Sequence, residues 1–490
     1  MLSLHIKNLR SIKDSTRIDL RPLTLVVGRN SAGKSTLLRV LPLLRQSVER
    51  RTSGPLLWFG DLVDFGSFND AVRRGAEKRE IELEFGIELP SRAGRFGEQT
   101  RPESVPSRIT LVIGNGDRQP SITRLGFRCG EDAAELRLSA DGTVETAVAR
   151  GESVDLLKIA AKYGRDRTPF SNFSLGDADP ETAGEGVVEA LRPFMVEEED
   201  ANELQHLAQA LDWTAPPHRP ALINRIENWL GRNGEAGEAT AQRLYDALFV
   251  RDLARTIAEA LQALAAEASA VAYLGPFRDP PRRHYRVNEL AMDVIDADGS
   301  NTAMVIRSLS PEAREDLSAW LTGHLGFGVE VKDTDAHVQI QVTEGTRPAA
   351  NLIDVGFGVS QLLPVAVQLW LLMNPRDGVP PTFRTFVMEQ PELHLHPAHQ
   401  ARLGTLLASA AATLAQVRTD ESPRTLMVET HSADLVEAVG RAIFEGTLPA
   451  DAAQVVVVEK DDATGDSTVR VATFDECGEL QNWPAGFFVP

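Results

Sequence analysis

Residues 28–35 read Gly-Arg-Asn-Ser-Ala-Gly-Lys-Ser, a glycine, four variable positions, then Gly-Lys-Ser. The apolar run Leu-Thr-Leu-Val-Val at 23–27 precedes it and a helical pattern follows from Lys34 to about Val48. Few features constrain a fold so tightly. The loop must curl until its backbone N–H groups converge, which calls for glycine at Gly28 and Gly33. The helix that follows aims its positive end at the same point, so the enclosed species is an anion. In this pattern Lys34 reaches the β- and γ-phosphates of a nucleotide and Ser35 ligates Mg²⁺. Asn30, Ser31, Ala32 and Thr36 supply further contacts around the loop. ATP with Mg²⁺ is the expected ligand.

The chain around this loop is 490 residues long, 42% hydrophobic and 25% charged, enough for two or three globular cores. It holds no apolar run of about 18 residues, so no membrane helix and no membrane partner are expected. The N-terminus lacks the apolar stretch of a secretion signal. Its two cysteines, Cys129 and Cys477, lie far apart with no metal-ligand spacing. A reducing, cytoplasmic setting is the expectation. Net charge is −19, from 51 basic and 70 acidic residues, which argues against a bulk polyanion binder. DNA contact would need a local patch, such as Arg73, Arg74, Lys78 and Arg79, or Arg278, Arg282, Arg283 and Arg286. The simpler reading of each is a solvated face, or a phosphate clamp inside the protein.

Period-two alternation at 81–89, 109–113, 122–128 and 134–139 predicts an antiparallel sheet. From about 152 to 270 the pattern turns helical, with one apolar stripe at Leu222, Ile223, Ile226, Trp229 and Leu230 and another at Ile257, Leu261 and Leu264. The acidic run Glu197–Asp200 reads as a solvated face. No sustained heptads and no short repeat interrupt this. Strands are expected again at 271–274, 327–344, 383–388, 425–429 and 454–459, with helices at 359–373, 397–416 and 432–445. Such alternation favours a parallel sheet covered by helices. Pro42 inside the first helical pattern is expected to kink it. The expected fold is therefore α/β, with the phosphate-binding lobe split. Its first part, with the antiparallel sheet, is residues 1–150, a helical insertion follows at 151–270, and the lobe resumes at 271–490.

Three further motifs fall in that last part. Phe-Val-Met-Glu-Gln-Pro at 386–391, with Glu392 beyond, is an apolar strand ending in an acid, the usual Mg²⁺ partner of a phosphate loop. Glu389 takes that role. Asp-Val-Gly-Phe-Gly-Val-Ser-Gln at 354–361 places glycines before a helix, a second anion-binding arrangement or simply a helix capped by Ser360. Glu-Thr-His-Ser at 429–432 puts His431 at a strand end, where it faces a γ-phosphate or serves the structure.

Taken in order, Ile-Lys-Asn-Leu-Arg-Ser-Ile near the N-terminus, the 28–35 loop, Gly-Val-Ser-Gln at 358–361, Glu-Gln-Pro-Glu-Leu-His-Leu-His-Pro at 389–397 and Glu-Thr-His-Ser resemble the ABC-class ATPase heads of the RecF, SMC and overcoming-lysogenization-defect (OLD) group. The likeness covers about residues 1–90 and 270–490. It is nearest to stand-alone bacterial members with a tail like Asp475 to Phe488, whose function is unassigned. The resemblance implies a P-loop head with a mixed sheet, helices on both faces, an antiparallel β-subdomain and a helical insertion. It implies a homodimer sandwiching two ATP molecules, each held between the Lys34 loop of one subunit and Gly358, Ser360 and Gln361 of the other. It also implies a phosphate contact or a closure relay for Arg278.

The chain departs from that group in two places. The wider ABC class carries two acids after the strand, the second activating water; here the second is Gln390. An amide cannot hold the proton, though it can orient water. Slow hydrolysis and a long-lived ATP-bound dimer are expected, with Glu392 as a substitute base and His431 as a phosphate sensor. The second departure is at the C-terminus. Val455–Val458 followed by Glu459 looks like the first strand of an OLD nuclease domain, but no later acidic cluster collects metal. Any cutting of DNA is expected from a separate effector. By analogy the chain is read as an ATP switch in DNA maintenance and repair or antiviral defence. The alternatives are a non-hydrolysing ATP sensor or scaffold and, less favoured, a transporter-type ATPase.

Overall fold

The computed structural model describes residues 1–90, 104–116, 119–159, 170, 180–191, 208, 213, 238–287, 294–334, 336–374, 383–416 and 424–483. The apolar stripe at 222–230, the acidic run at 197–200 and the last residues of the tail lie outside them. The described chain packs as two units whose segments interleave in sequence. One comprises Met1–Asn8, Ser47–Leu57 and Gly75–Glu267, the other Leu9–Gln46, Trp58–Arg74 and Ala268–Pro490.

The second unit holds the phosphate loop. Its main sheet runs in the order Ile12–Asp14, Ser467–Phe474, Ala453–Lys460, Leu23–Gly28, Thr425–Glu429, Thr385–Glu389, Val271–Leu274. All neighbours are parallel except the pair formed by Ala453–Lys460 and Ser467–Phe474. The four strands from Leu23–Gly28 to Val271–Leu274 are buried at every residue. That is the signature of a parallel sheet covered on both faces, and it explains why they read as unbroken apolar runs. Helices Phe357–Met373, Pro397–Gln416 and Ala433–Phe444 bury Leu363, Leu403, Leu407, Leu435 and Val439 in one core with Leu25, Phe386, Met388 and Val428. A smaller sheet joins Tyr285–Arg286, His337–Thr343, Gly328–Asp333 and Ala350–Asn351.

Two details differ from the sequence expectation. The helical pattern after the loop is two helices, Lys34–Leu38 and Val40–Glu49, broken at Arg39 rather than bent at Pro42. Proline at 42 has no N–H for the carbonyl of Leu38 and its ring crowds the turn before it, so the break falls upstream. The strand Ser467–Phe474 lies in a stretch, between the expected strand 454–459 and the tail from Asp475, for which no element was expected; it pairs with Ala453–Lys460, and Glu459 forms an ion pair with Arg470 across that hairpin. The valine run 455–458 is thus a strand of the phosphate-loop sheet, beside Leu23–Gly28.

The first unit is an antiparallel meander in the order Glu152–Val154, Val144–Ala149, Asp132–Leu138, Pro120–Cys129, Ser104–Asn115, Ile81–Pro90, Ser3–Leu9. It has more strands than the alternation revealed, and residues 152–154 are strand where a helical stretch was expected to open. The helix Leu253–Ser269 buries Ile257, Leu261 and Leu264 as its apolar stripe predicts. Asp132 is buried, with the Tyr245 hydroxyl donating to Oδ2 at 2.6 Å and Arg150 paired to Oδ1. Among the described residues no helix is long and apolar enough to cross a membrane.

Candidate nucleotide site

The Leu23–Gly28 strand delivers the chain to the carboxyl edge of the sheet, and the loop turns there under two steric demands. A Cβ on Gly28 would stand 2.3 Å from the carbonyl oxygen of Val458, which is backbone and cannot give way. Gly33 has φ +104°, in the region that favours glycine, and caps the helix that starts at Lys34. Asn30 and Ser31 form the exposed crest; Ala32 and Thr36 are buried beneath it.

Lys34 is 3% exposed. Its ammonium donates to the carbonyl oxygen of Arg29 at 2.9 Å and stands 3.9 Å from Glu429 Oε1. Burial lowers its pKa against the pull of Glu429 and then Glu392. A cation held inside its own loop by one carbonyl and one distant carboxylate is under-compensated, and an entering phosphate would complete its shell. The Ser35 hydroxyl donates to Glu429 Oε2 at 2.7 Å.

The sheet order now matters. The strand next to Leu23–Gly28 is Thr425–Glu429, and Thr385–Glu389 is one further out. Glu389 and Glu429 are registered partners at the ends of those parallel strands. Glu389 accepts from Arg39 Nε and Nη2, each at 2.7 Å, and from the Tyr273 hydroxyl at 2.8 Å. The hydrogen bonds to Glu389 raise the Arg39 pKa, and burial, followed by the Glu389 charge, raises that of Tyr273. Glu429 is shifted upward, first by burial, although the Ser35 hydrogen bond opposes this.

Gln390 has φ 44°, its N–H donates to the Glu429 carbonyl at 2.8 Å, and its side-chain Nε2 donates to Glu429 Oε1 at 3.3 Å. Glu392 is buried; Oε1 accepts from the His431 N–H at 2.7 Å and Oε2 has no partner. Burial raises its pKa. His431 is exposed, yet desolvation and then the Lys34 charge lower its pKa, so the ring is neutral near pH 7. Arg278 is buried, donates from Nη2 to the Glu389 carbonyl at 3.2 Å, and has no partner at Nε or Nη1. Burial brings its pKa down to about 10.

Lys34, Ser35, Glu389, Gln390, Glu392 and His431 therefore gather at one edge of one sheet. Gly358, Ser360 and Gln361 do not join them in hydrogen bonding. They open the Phe357–Met373 helix, where Gly356 is the N-cap and Ser360 Oγ donates to the Phe357 carbonyl at 2.8 Å. Ser360 is inside the first turn and is not the cap. Phe357 and Gly358 line a cavity of about 580 Å³ with Leu395, His394 and Arg402. Of the basic patches, Arg73 pairs with Asp466, Arg282 with Asp279 and Arg283 with Asp354, which favours the solvated-face reading.

Three residues at the site were not singled out in the sequence. Glu429 was visible in Glu-Thr-His-Ser, but a strand-ending acid gains meaning only once its strand is known to lie beside the phosphate loop. Arg39 and Tyr273 meet Glu389 across 350 and 116 residues, with no local signal.

Magnesium fits this donor set. Ser35 and Glu429 offer hard oxygens at a phosphate loop, and among the described residues no three or more His, Cys, Asp or Glu gather as a protein-only cage. An ion held by few protein oxygens and by substrate phosphates is the usual Mg²⁺ arrangement.

Comparison with known proteins agrees with the site. A family described as "AAA ATPase domain" matches residues 1–88, and one described as "AAA domain, putative AbiEii toxin, Type IV TA system" matches residues 249–437. No curated protein matches the chain. Among solved structures, the Smc head domain of Pyrococcus furiosus with an extended coiled coil, bound to the C-terminal domain of ScpA, is similar at 12% identity and TM-score 0.34, covering 96% of each chain. The SMC head domain of Thermotoga maritima is similar at 11% identity and TM-score 0.35, covering 96% of this chain and 97% of that one. One matched family span carries the phosphate loop, and the other carries Gly-Val-Ser-Gln at the start of a helix and Glu-Gln-Pro-Glu and Glu-Thr-His-Ser at the ends of neighbouring strands of the loop's sheet. Over residues 1–88 and 249–437 the chain is thus similar to AAA-type ATPase domains, which is consistent with an ATP-binding ATPase.

Proposed function

We propose that the protein is an ATP-dependent dimerisation switch that hydrolyses ATP slowly. The observation that carries this reading is the buried, under-compensated Lys34 beside Ser35, with Gln390 in the place of a second acid. Bound with ATP, Mg²⁺ would neutralise charge developing on the transferred phosphoryl group. Lys34 grips the β- and γ-phosphates, Ser35 and an acid at the strand ends hold the ion, and Gln390 orients water without removing its proton. Glu389 is the acid that the motif nominates, Glu392 the substitute base and His431 the phosphate sensor. Gly358, Ser360 and Gln361 of a second copy close each site, with residues 151–270 as a helical insertion in the head. Phe357, about half exposed beside Gly358, supplies apolar surface for that closure.

The switch acts with a separate effector, such as a nuclease, in antiviral defence or DNA repair. Support for this is the motif resemblance together with a matched family whose description names a toxin–antitoxin system. Gln390 also favours a second reading, an ATP sensor that does not hydrolyse. Phosphate release under single-turnover conditions separates the two. The expected result is slow release, abolished together with nucleotide binding in Lys34→Ala and accelerated in Gln390→Glu. No faster turnover in Gln390→Glu would count against the role given to Gln390, and no release at all would leave the sensor.

A further inference from the structure

Glu389 and Glu429 are both 1% exposed and stand side by side on registered positions of parallel strands. Two bare carboxylates cannot share such a place without compensation, and the compensation is unequal. Both oxygens of Glu389 are engaged by the Arg39 guanidinium as a two-bond fork, with Tyr273 adding a third donor. The oxygens of Glu429 meet the phosphate-loop side: Oε2 takes the proton of Ser35, and Oε1 lies 3.9 Å from Lys34 and 3.3 Å from the Gln390 amide.

A serine hydroxyl that lends its oxygen to a cation must place its proton on an acceptor behind it. Glu429 Oε2 is that acceptor, and its strand, unlike that of Glu389, borders the loop strand. We infer that Glu429, rather than Glu389, is the positioning carboxylate that orients Ser35 on the nucleotide-bound divalent cation, while Glu389 anchors Arg39 and Tyr273. This rests on the proposed Mg-ATP site and deepens it.

The test measures the affinity of a non-hydrolysable ATP analogue by displacement of a fluorescent nucleotide, in Mg²⁺ and in EDTA. Wild type, Glu429→Gln, Glu429→Asp and Glu389→Gln are compared, each with its melting temperature in the ligand-free state. The quantity read is the gain in affinity that Mg²⁺ confers. Glu429→Gln is expected to lose about ten- to a hundred-fold of that gain, the usual cost of an outer-shell partner, with its EDTA affinity unchanged. Glu429→Asp keeps the charge and loses only part. Glu389→Gln keeps the gain and melts earlier, because Arg39 loses its partner. A gain intact in Glu429→Gln and lost in Glu389→Gln overturns the assignment. A wild-type protein that binds nucleotide without any gain from Mg²⁺ overturns it too, and one that binds no nucleotide overturns the ATP site itself.

Discussion

Glu392 is a carboxylate with half of its hydrogen bonding met: one oxygen takes the His431 N–H and the other has nothing. Burial raises its pKa above the unfolded value. The folded state therefore binds more protons than the unfolded chain as pH rises past the ordinary glutamate range, and stability is lost over that interval. Glu392→Gln keeps an acceptor for His431 and removes the titration. Its melting temperature should match the wild type at acidic pH near the unfolded glutamate value, rise above it toward neutrality, and level off beyond the raised pKa. A difference between the two proteins that does not change with pH would mean that the group is not desolvated as its geometry implies. At this scale the sequence was legible where chemistry is local. Gly28, Gly33, Lys34 and Ser35 sit in a contiguous loop, so their spacing alone specifies it. The partners of Glu389 and the nearness of Glu429 depend on strand order, which no window of sequence carries.

Elements were legible where burial forces a pattern. The strands 425–429 and 271–274 have the bounds expected, because a strand covered on both faces must be apolar throughout. The strand Val144–Ala149 escaped notice because Glu145 and Thr146, both exposed, blur its alternation. The break at Arg39 is the most consequential misplacement. Pro42 ends the first helix a turn early, and the residue freed at the joint is the one that reaches Glu389. Helix contact is specified just as locally at Gly404. A Cβ there would lie 2.6 Å from the Leu435 carbonyl and 2.8 Å from the Ala438 side chain, so Pro397–Gln416 and Ala433–Phe444 approach as closely as a missing side chain allows. Gly404→Ala should cost about 1–3 kcal/mol, the range for overpacking, despite the better helix propensity of alanine. Urea unfolding followed by circular dichroism measures it, and an alanine variant as stable as the parent would show that the two helices can separate freely.

At the scale of the molecule the proposed switch needs two copies, the Lys34 loop of one and the Gly358–Gln361 turn of the other closing each site. Lys34 is buried under its own loop, whereas Phe357 and Gly358 border a cavity; in the proposed switch each chain gives its loop to one composite site and its turn to the other. An isologous pair would then contain two equivalent sites, each drawing its loop from one copy and its turn from the other. Complementation follows from that symmetry. Lys34→Ala spoils the loop half and Ser360→Arg, placed in the buried first turn of its helix, spoils the other. Neither variant alone should hydrolyse ATP. Mixed one to one, half of the dimers pair one variant with the other, and each of those holds one intact site, so about a quarter of wild-type turnover should return. Light scattering with ATP should show a dimer in the mixture, and ADP should leave monomers. A mixture as inactive as its components, with each variant folded by circular dichroism, would mean that hydrolysis takes place within a single chain and that the dimer sandwich is wrong.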